Sequence, residues 1–135
     1  MEKAVRASFA KQTFLKTIGA ELIGVSAVEV EIELPFRSDL CQQHGFLHAG
    51  VVTSIVDTAC GYAALSMMPE GSEVLSVEFK MNLLSPAVGE KFLAHGKVVK
   101  AGKTLTFVNG EVLAKNGSGE KLIATMSATM IARAG

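Results

Sequence analysis

From Ala49 to Met68 the chain is apolar or small almost without interruption, and its character is helical rather than alternating. A helix that is greasy all round must be wrapped by other structure. The chain has 135 residues, one domain's worth, so residues 1–135 are expected to form a single domain and the wrapping must come from the rest of it. That remainder reads mainly as strands. "ELIGVSAVEVEIELPF" alternates Val28, Val30, Ile32 and Leu34 with Glu29, Glu31 and Glu33 before Pro35, which describes one strand with a wet face. After the helix come "EVLSVEFKMNLL", "KFLAHGKVVK", "TLTFVNGEVLAK" and "KLIATMSATMIARA", separated by "SPAVGE", "AGK" and "NGSGE". Such hairpin-length connections imply a meander of about four strands with the earlier strand joining it. Ahead of them, Val5, Phe9, Gln12, Phe14, Leu15 and Ile18 recur at mostly helical intervals up to Gly19, predicting a short amphipathic helix over about 4–18. The expected architecture is α+β, a curved antiparallel β-sheet wrapped around a long central helix at about 49–68.

The formal charge is zero, which removes the long-range attraction of a nucleic-acid binder or a polybasic membrane protein. No apolar run has the length of a signal peptide or a spanning segment, so no membrane insertion and a cytoplasmic location are expected. Cys41 and Cys60 have neither metal-site spacing nor disulfide-scaffold density, and read as two reduced thiols.

Chemistry concentrates in "QQHGFLHAGVVTSIVDTACGYAAL", residues 42–65. At about 100° per residue, Gly50, Ser54, Asp57 and Gly61 fall on one small, polar stripe, suited to a cleft or a second helix. An aspartate within an apolar helix is either a structural hydrogen-bond acceptor or a working carboxylate. Before it, "HGFLHAG" brings His44 and His48 to a helix N-terminus, whose free N–H groups and positive dipole end suit a polarised carbonyl oxygen. His48 is then a cap for backbone groups or part of the chemistry. A held carbonyl and a carboxylate to handle water are the minimum apparatus for acyl transfer to water.

The stretch "HGFLHAGVVTSIVDTACGYAAL" resembles the signature of hotdog-fold thioesterases of the phenylacetate-degradation type, in the 4-hydroxybenzoyl-CoA thioesterase superfamily. Their motif is His-Gly-Gly followed seven residues later by Asp or Glu; here His48, Ala49 and Gly50 stand for the triplet and Asp57 for the acid. The downstream strands resemble the family's series over roughly residues 15–132. The resemblance implies Asp57 as general base or nucleophile, Gln42 as the residue orienting the carbonyl or water, and the Ala49 N–H as the donor that polarises the carbonyl. Ser76 would help hold the water. The Ser-Pro turn at Ser85 and Pro86 and the hairpin bearing Lys100, Gly102, Lys103 and Thr104 would hold coenzyme A, although such a hairpin is equally a routine solvated turn. Alanine replaces the usual glycine at Ala49, so a donor site requiring positive φ would be strained.

Gly50 and Asp57 lie about 10 Å apart along the axis, too far to flank one carbon. Two helices related by a two-fold axis would place Asp57 of one chain near the N-terminus of the other. The family is built this way, as homodimers with shared sites, often paired into dimers of dimers. The expectation is an acyl-CoA thioesterase, using no metal and no other cofactor. Its alternatives are a catalytically weak acyl-thioester-binding hotdog protein and an enoyl-CoA hydratase, whose Asp and His sit in a motif absent here.

Overall fold

A computed structural model describes residues 1–134. Six antiparallel strands form one sheet in the order β1-β2-β4-β5-β6-β3. They are β1 (Glu21–Ser26), β2 (Glu29–Pro35), β3 (Ser72–Leu83), β4 (Lys91–Ala101), β5 (Leu105–Asn116) and β6 (Gly119–Ala134). The helix α3, Ala49–Leu65, lies against β2 to β6. Its buried side chains Val52, Ile55, Val56, Ala59 and Cys60 meet Ile32, Leu34, Phe92, Val108, Val112 and Met130 from the sheet. Burying each large aliphatic side chain stabilises the fold by about 1.5–3 kcal/mol.

Two glycines let the helix approach the sheet. Gly96 and Gly110 face each other across β4 and β5. A Cβ on Gly96 would lie 2.6 Å from the Ala59 backbone, and one on Gly110 2.6 Å from the Val56 side chain. The Val56–Cys60 turn of α3 therefore seats on a patch of sheet without side chains.

Four expectations from the sequence need correction. The segment 4–18 is two helices, α1 (Glu2–Ala10) and α2 (Thr13–Ile18), because Gln12 turns extended between them and sends its side chain to Tyr62. The alternating stretch 21–35 is the β1–β2 hairpin, not one strand. Its turn holds Val28 at φ 68°, the Val28 N–H donating to Ser66 Oγ and its carbonyl accepting from Val98 N–H. The central helix ends at Leu65, where Ser66 Oγ donates to the Ala63 carbonyl, three residues before the expected end. Finally, the last four strands are not a simple meander. The "SPAVGE" connection crosses the end of the sheet: Leu84 N–H bonds the Ile123 carbonyl of β6, and Glu90 N–H bonds the Lys115 carbonyl of β5. This crossing leaves β3 beside β6 at the outer edge and delivers β4 beside β2.

Candidate active site

The loop before α3 is held by its own polar groups. Cys41 and Leu47 form an isolated bridge, and Leu47 N–H donates to the Ala87 carbonyl, tying the loop to the Ser85-Pro86 turn. The Gln42 side-chain oxygen accepts from His44 N–H at 2.6 Å and Phe46 N–H at 3.2 Å. Only an oxygen can accept twice, so the Gln42 amide is oriented with its NH₂ away from those donors. His48 is the N-cap of α3, its Nδ1 accepting from Gly50 N–H at 2.8 Å. The ring nitrogen that accepts carries no proton, which places the neutral ring's hydrogen on Nε2.

That cap decides which donors the helix mouth offers. Gly50 N–H is spent on His48, while Val51 and Val52 donate to the His48 carbonyl. Ala49 N–H has no partner among the described residues. Ala49 begins the helix without positive φ, for Val28 is the one non-glycine residue in that region among those described. The strain expected of alanine here does not arise. A cavity of about 310 Å³ opens beside this donor, lined by Gln42, Ala49, Val52, Leu83, Ser85 and Pro86 among others.

A second cavity, of about 200 Å³, lies farther along α3, with Asp57, Gly61, Tyr62, Ser76, Met130 and Gln12 in its walls. Here Ser76 Oγ donates to Asp57 Oδ1 at 2.7 Å. Burial raises the Asp57 carboxyl above the ordinary carboxylate range, and the Ser76 hydrogen bond opposes that rise. The β-bulge after Ser76 is what permits the contact. Without the extra residue at Val77, Ser76 and Met81 would face opposite sides of the sheet; with it, Ser76 reaches Asp57 while Met81 packs on the core. Beneath the helix, burial first and the Asp57 charge second push the Cys60 thiol up to about 12, so it is no nucleophile. Cys41 and Cys60 are both free.

The structure thus brings the expected residues together as two groups rather than one. Gln42, His48, Ala49, Gly50, Ser85 and Pro86 gather at the N-terminal end of α3, while Asp57 and Ser76 sit two turns away in a cavity sharing no wall residue with the first. Ala49 and Asp57 are separated by about 12 Å of helix. Lys100 lies near the end of β4, paired with Phe107, and Gly102, Lys103 and Thr104 form the β4–β5 turn, where the Thr104 carbonyl accepts from Ala132 N–H, at the Asp57 end of the sheet and away from Ser85 and Pro86. Gly102 is required there, since a Cβ would lie 2.5 Å from the Leu105 carbonyl oxygen. His44 contributes its backbone N–H to the loop, its side chain exposed beside Phe46. Gln12 and Tyr62 were not foreseen as wall residues. The available signal was a glutamine on the apolar stripe of the first helix and the chain's single tyrosine five residues after Asp57.

Chemically, one end can offer N–H donors to a carbonyl oxygen, and the other a carboxylate of raised basicity held by a hydroxyl. Both border the edge strand β3, Leu83 lining the first cavity and Ser76 the second.

The family model of the Thioesterase superfamily matches residues 44–121. Human acyl-coenzyme A thioesterase 13 is 27% identical over 126 residues, covering 92% of this chain and 88% of that protein. A thioesterase family protein from Silicibacter pomeroyi, of solved structure, is 48% identical, with 97% of this chain and 96% of that one covered and a TM-score of 0.95. The PaaI protein from the phenylacetic acid degradation operon of E. coli is 19% identical, with 96% and 91% covered and a TM-score of 0.86, a likeness of fold. A family match across more than half the chain, joined to a near-complete relative of the same family, establishes that this hotdog-fold chain belongs to the thioesterase superfamily and is a thioester hydrolase.

Proposed function

We propose that the protein hydrolyses the thioester of an acyl- or aryl-coenzyme A to the free acid and coenzyme A, in sites assembled from two copies of the chain. The observation that carries the reading is the separation of donors and carboxylate into two cavities that both border the free edge of β3. That edge carries Leu75, Val77, Phe79 and Leu83, each between 46% and 58% exposed. An open apolar edge strand invites pairing with another strand. Antiparallel pairing of β3 with its symmetry mate about Phe79, whose N–H lies on the free edge, would bring the Ser76 end of each strand toward the Leu83 end of the other. The carboxylate cavity of each chain would then meet the donor cavity of the other.

In the composite site the Gln42 NH₂ and Ala49 N–H would polarise the thioester carbonyl, and they would stabilise the oxyanion as it forms. Asp57 would act across the carbonyl carbon, either taking a proton from attacking water or attacking directly, with Ser76 fixing its orientation. His48 serves the donors indirectly by occupying Gly50 N–H, which leaves Ala49 free. Ser85 and Pro86 from one chain and Lys100, Gly102, Lys103 and Thr104 from the other would flank the coenzyme, the lysines meeting its phosphates. The homodimer is the minimum unit, and pairing into a dimer of dimers would cover further apolar sheet surface. No step requires a metal or redox cofactor. The weak-binder alternative drew its force from strain at Ala49, which the backbone removes.

A thiol-release assay across short, medium, long and aromatic acyl-CoAs tests this reading. Release well above the buffer rate for at least one class is expected. Release indistinguishable from buffer for all classes would reject it.

A further inference from the structure

We propose that Gln12, held in place by Tyr62 and Ser8, is the stop that limits the length of the acyl group in the Asp57 cavity. The inference rests on the function proposed above and specifies which substrates that site takes. Gln12 is the one wall residue of this cavity contributed by the N-terminal segment. It stands at the break between α1 and α2 with an extended backbone, so its side chain points back toward α3 rather than along a helix surface. Its Nε2 donates to Tyr62 Oη at 2.7 Å, and Ser8 Oγ shares a hydrogen bond with the same hydroxyl at 2.9 Å. Phe9 meets the Tyr62 ring edge-on at 6.3 Å. Tyr62 is 3% exposed, so the latch is fixed from the core side.

The direction of the acyl group follows from what else is spoken for. With the carbonyl carbon beside Asp57, its oxygen turns to the donors and its sulfur to the coenzyme, which leaves the remaining substituent the rest of the cavity. That space passes over Gly61, where an added Cβ would meet nothing within 4 Å, and ends at Gln12 and Tyr62. Tyr62 lies five residues beyond Asp57, about 7.5 Å along the axis. A short acyl chain or a single ring fits this distance, and a longer chain meets the Gln12 amide. Gln12 is accordingly a specificity-determining residue, and Tyr62 a positioning residue that acts through it.

The test is the ratio of kcat/KM for dodecanoyl-CoA to that for butanoyl-CoA, taken within each variant so that a general loss of activity cancels. Gln12→Ala and Gln12→Ser should raise the ratio about tenfold, the scale of a methylene gained or lost in a pocket. Tyr62→Phe should move it in the same direction by releasing Gln12, and Gly61→Val should move it the other way by narrowing the passage. Opposite shifts from the two sides are something a loss of stability alone cannot produce. An unchanged ratio in both Gln12 variants, with unfolding temperatures near the parent's, would overturn the proposal. Should the parent hydrolyse no acyl-CoA at all, the proposed function fails separately. Calorimetric affinities for dodecyl- and butyl-CoA thioethers then decide the stop: a ratio raised by Gln12→Ala supports it, and an unaltered one rejects it.

Discussion

At the scale of single residues, the site turns on how each polar group spends its hydrogen bonds. Asp57 holds a carboxyl whose affinity for protons is raised by burial and restrained by Ser76. Asp57→Asn should lower kcat by about two orders of magnitude, the range for a general acid or base. It should not cost stability at pH 7. The folded carboxyl binds its proton more tightly than the unfolded one, so its stabilising contribution is complete below about pH 3.9 and is lost as pH rises through the folded value. The Asn variant should therefore unfold at the same or a higher temperature at pH 7, with the difference vanishing near pH 3; scanning calorimetry at both values checks this. Ser76→Ala removes the bond that holds the carboxyl down, so the acid limb of the kcat/KM profile should move to higher pH. A limb that stays in place would disconnect Asp57 from the profile. Asp57 was legible in the sequence because a charge inside an apolar helix demands an explanation. The family resemblance named the Ala49 N–H as donor, but the residues alone did not tell which N–H is free, since that depends on His48 Nδ1 capturing Gly50 rather than Ala49. Gln12 and Tyr62 escaped for a similar reason: they lie 50 residues apart in the chain and meet only in the fold.

At the scale of elements, α3 and the last four strands are readable because their apolar periods are long and their turns carry Gly, Pro and Asn. The β1–β2 turn hid because Ala27 and Val28 carry no turn signal; tertiary bonds from Ser66 and Val98 hold Val28 in a conformation that a β-branched residue disfavours. The crossing of "SPAVGE" hid because its length suits a hairpin, and only its bonds to Ile123 and Lys115 show it traversing the sheet end. The glycine seat under α3 was equally silent, since a glycine within a strand looks like a weakness until a helix is known to rest on it. Gly96→Ala should destabilise the protein by about 1–3 kcal/mol, because the clash is with Ala59 backbone and cannot be relieved by a rotamer change. Denaturant midpoints measure the loss. Activity should fall further than the lost folded fraction explains, since the displaced turn carries Asp57; activity that merely tracks the folded fraction would show that the helix adjusts without moving its carboxylate.

At the scale of the whole molecule, the proposed dimer completes two cavities that each hold part of the apparatus, one chain lending its carboxylate to the donors of the other. Counting along the helix made the separation legible beforehand, and the absence of shared wall residues gives it a physical form. The consequence is a complementation that a self-contained site cannot give. Asp57→Asn and Gln42→Ala should each be nearly inactive. Mixed under conditions of subunit exchange, they form dimers in which one site carries both defects and the other neither. At full exchange about half the dimers are mixed, each with one intact site of two, so the rate should approach about a quarter of the parent's by symmetry counting. Phe79→Pro, which removes an N–H on the free β3 edge rather than one of the bonds to β6, should abolish both the dimer and the recovered activity if the chains meet there. Exchange confirmed by mass spectrometry with no recovery of rate would mean that Asp57 serves the donors of its own chain. The 12 Å between Ala49 and Asp57 would then have to close by a movement of the helix mouth.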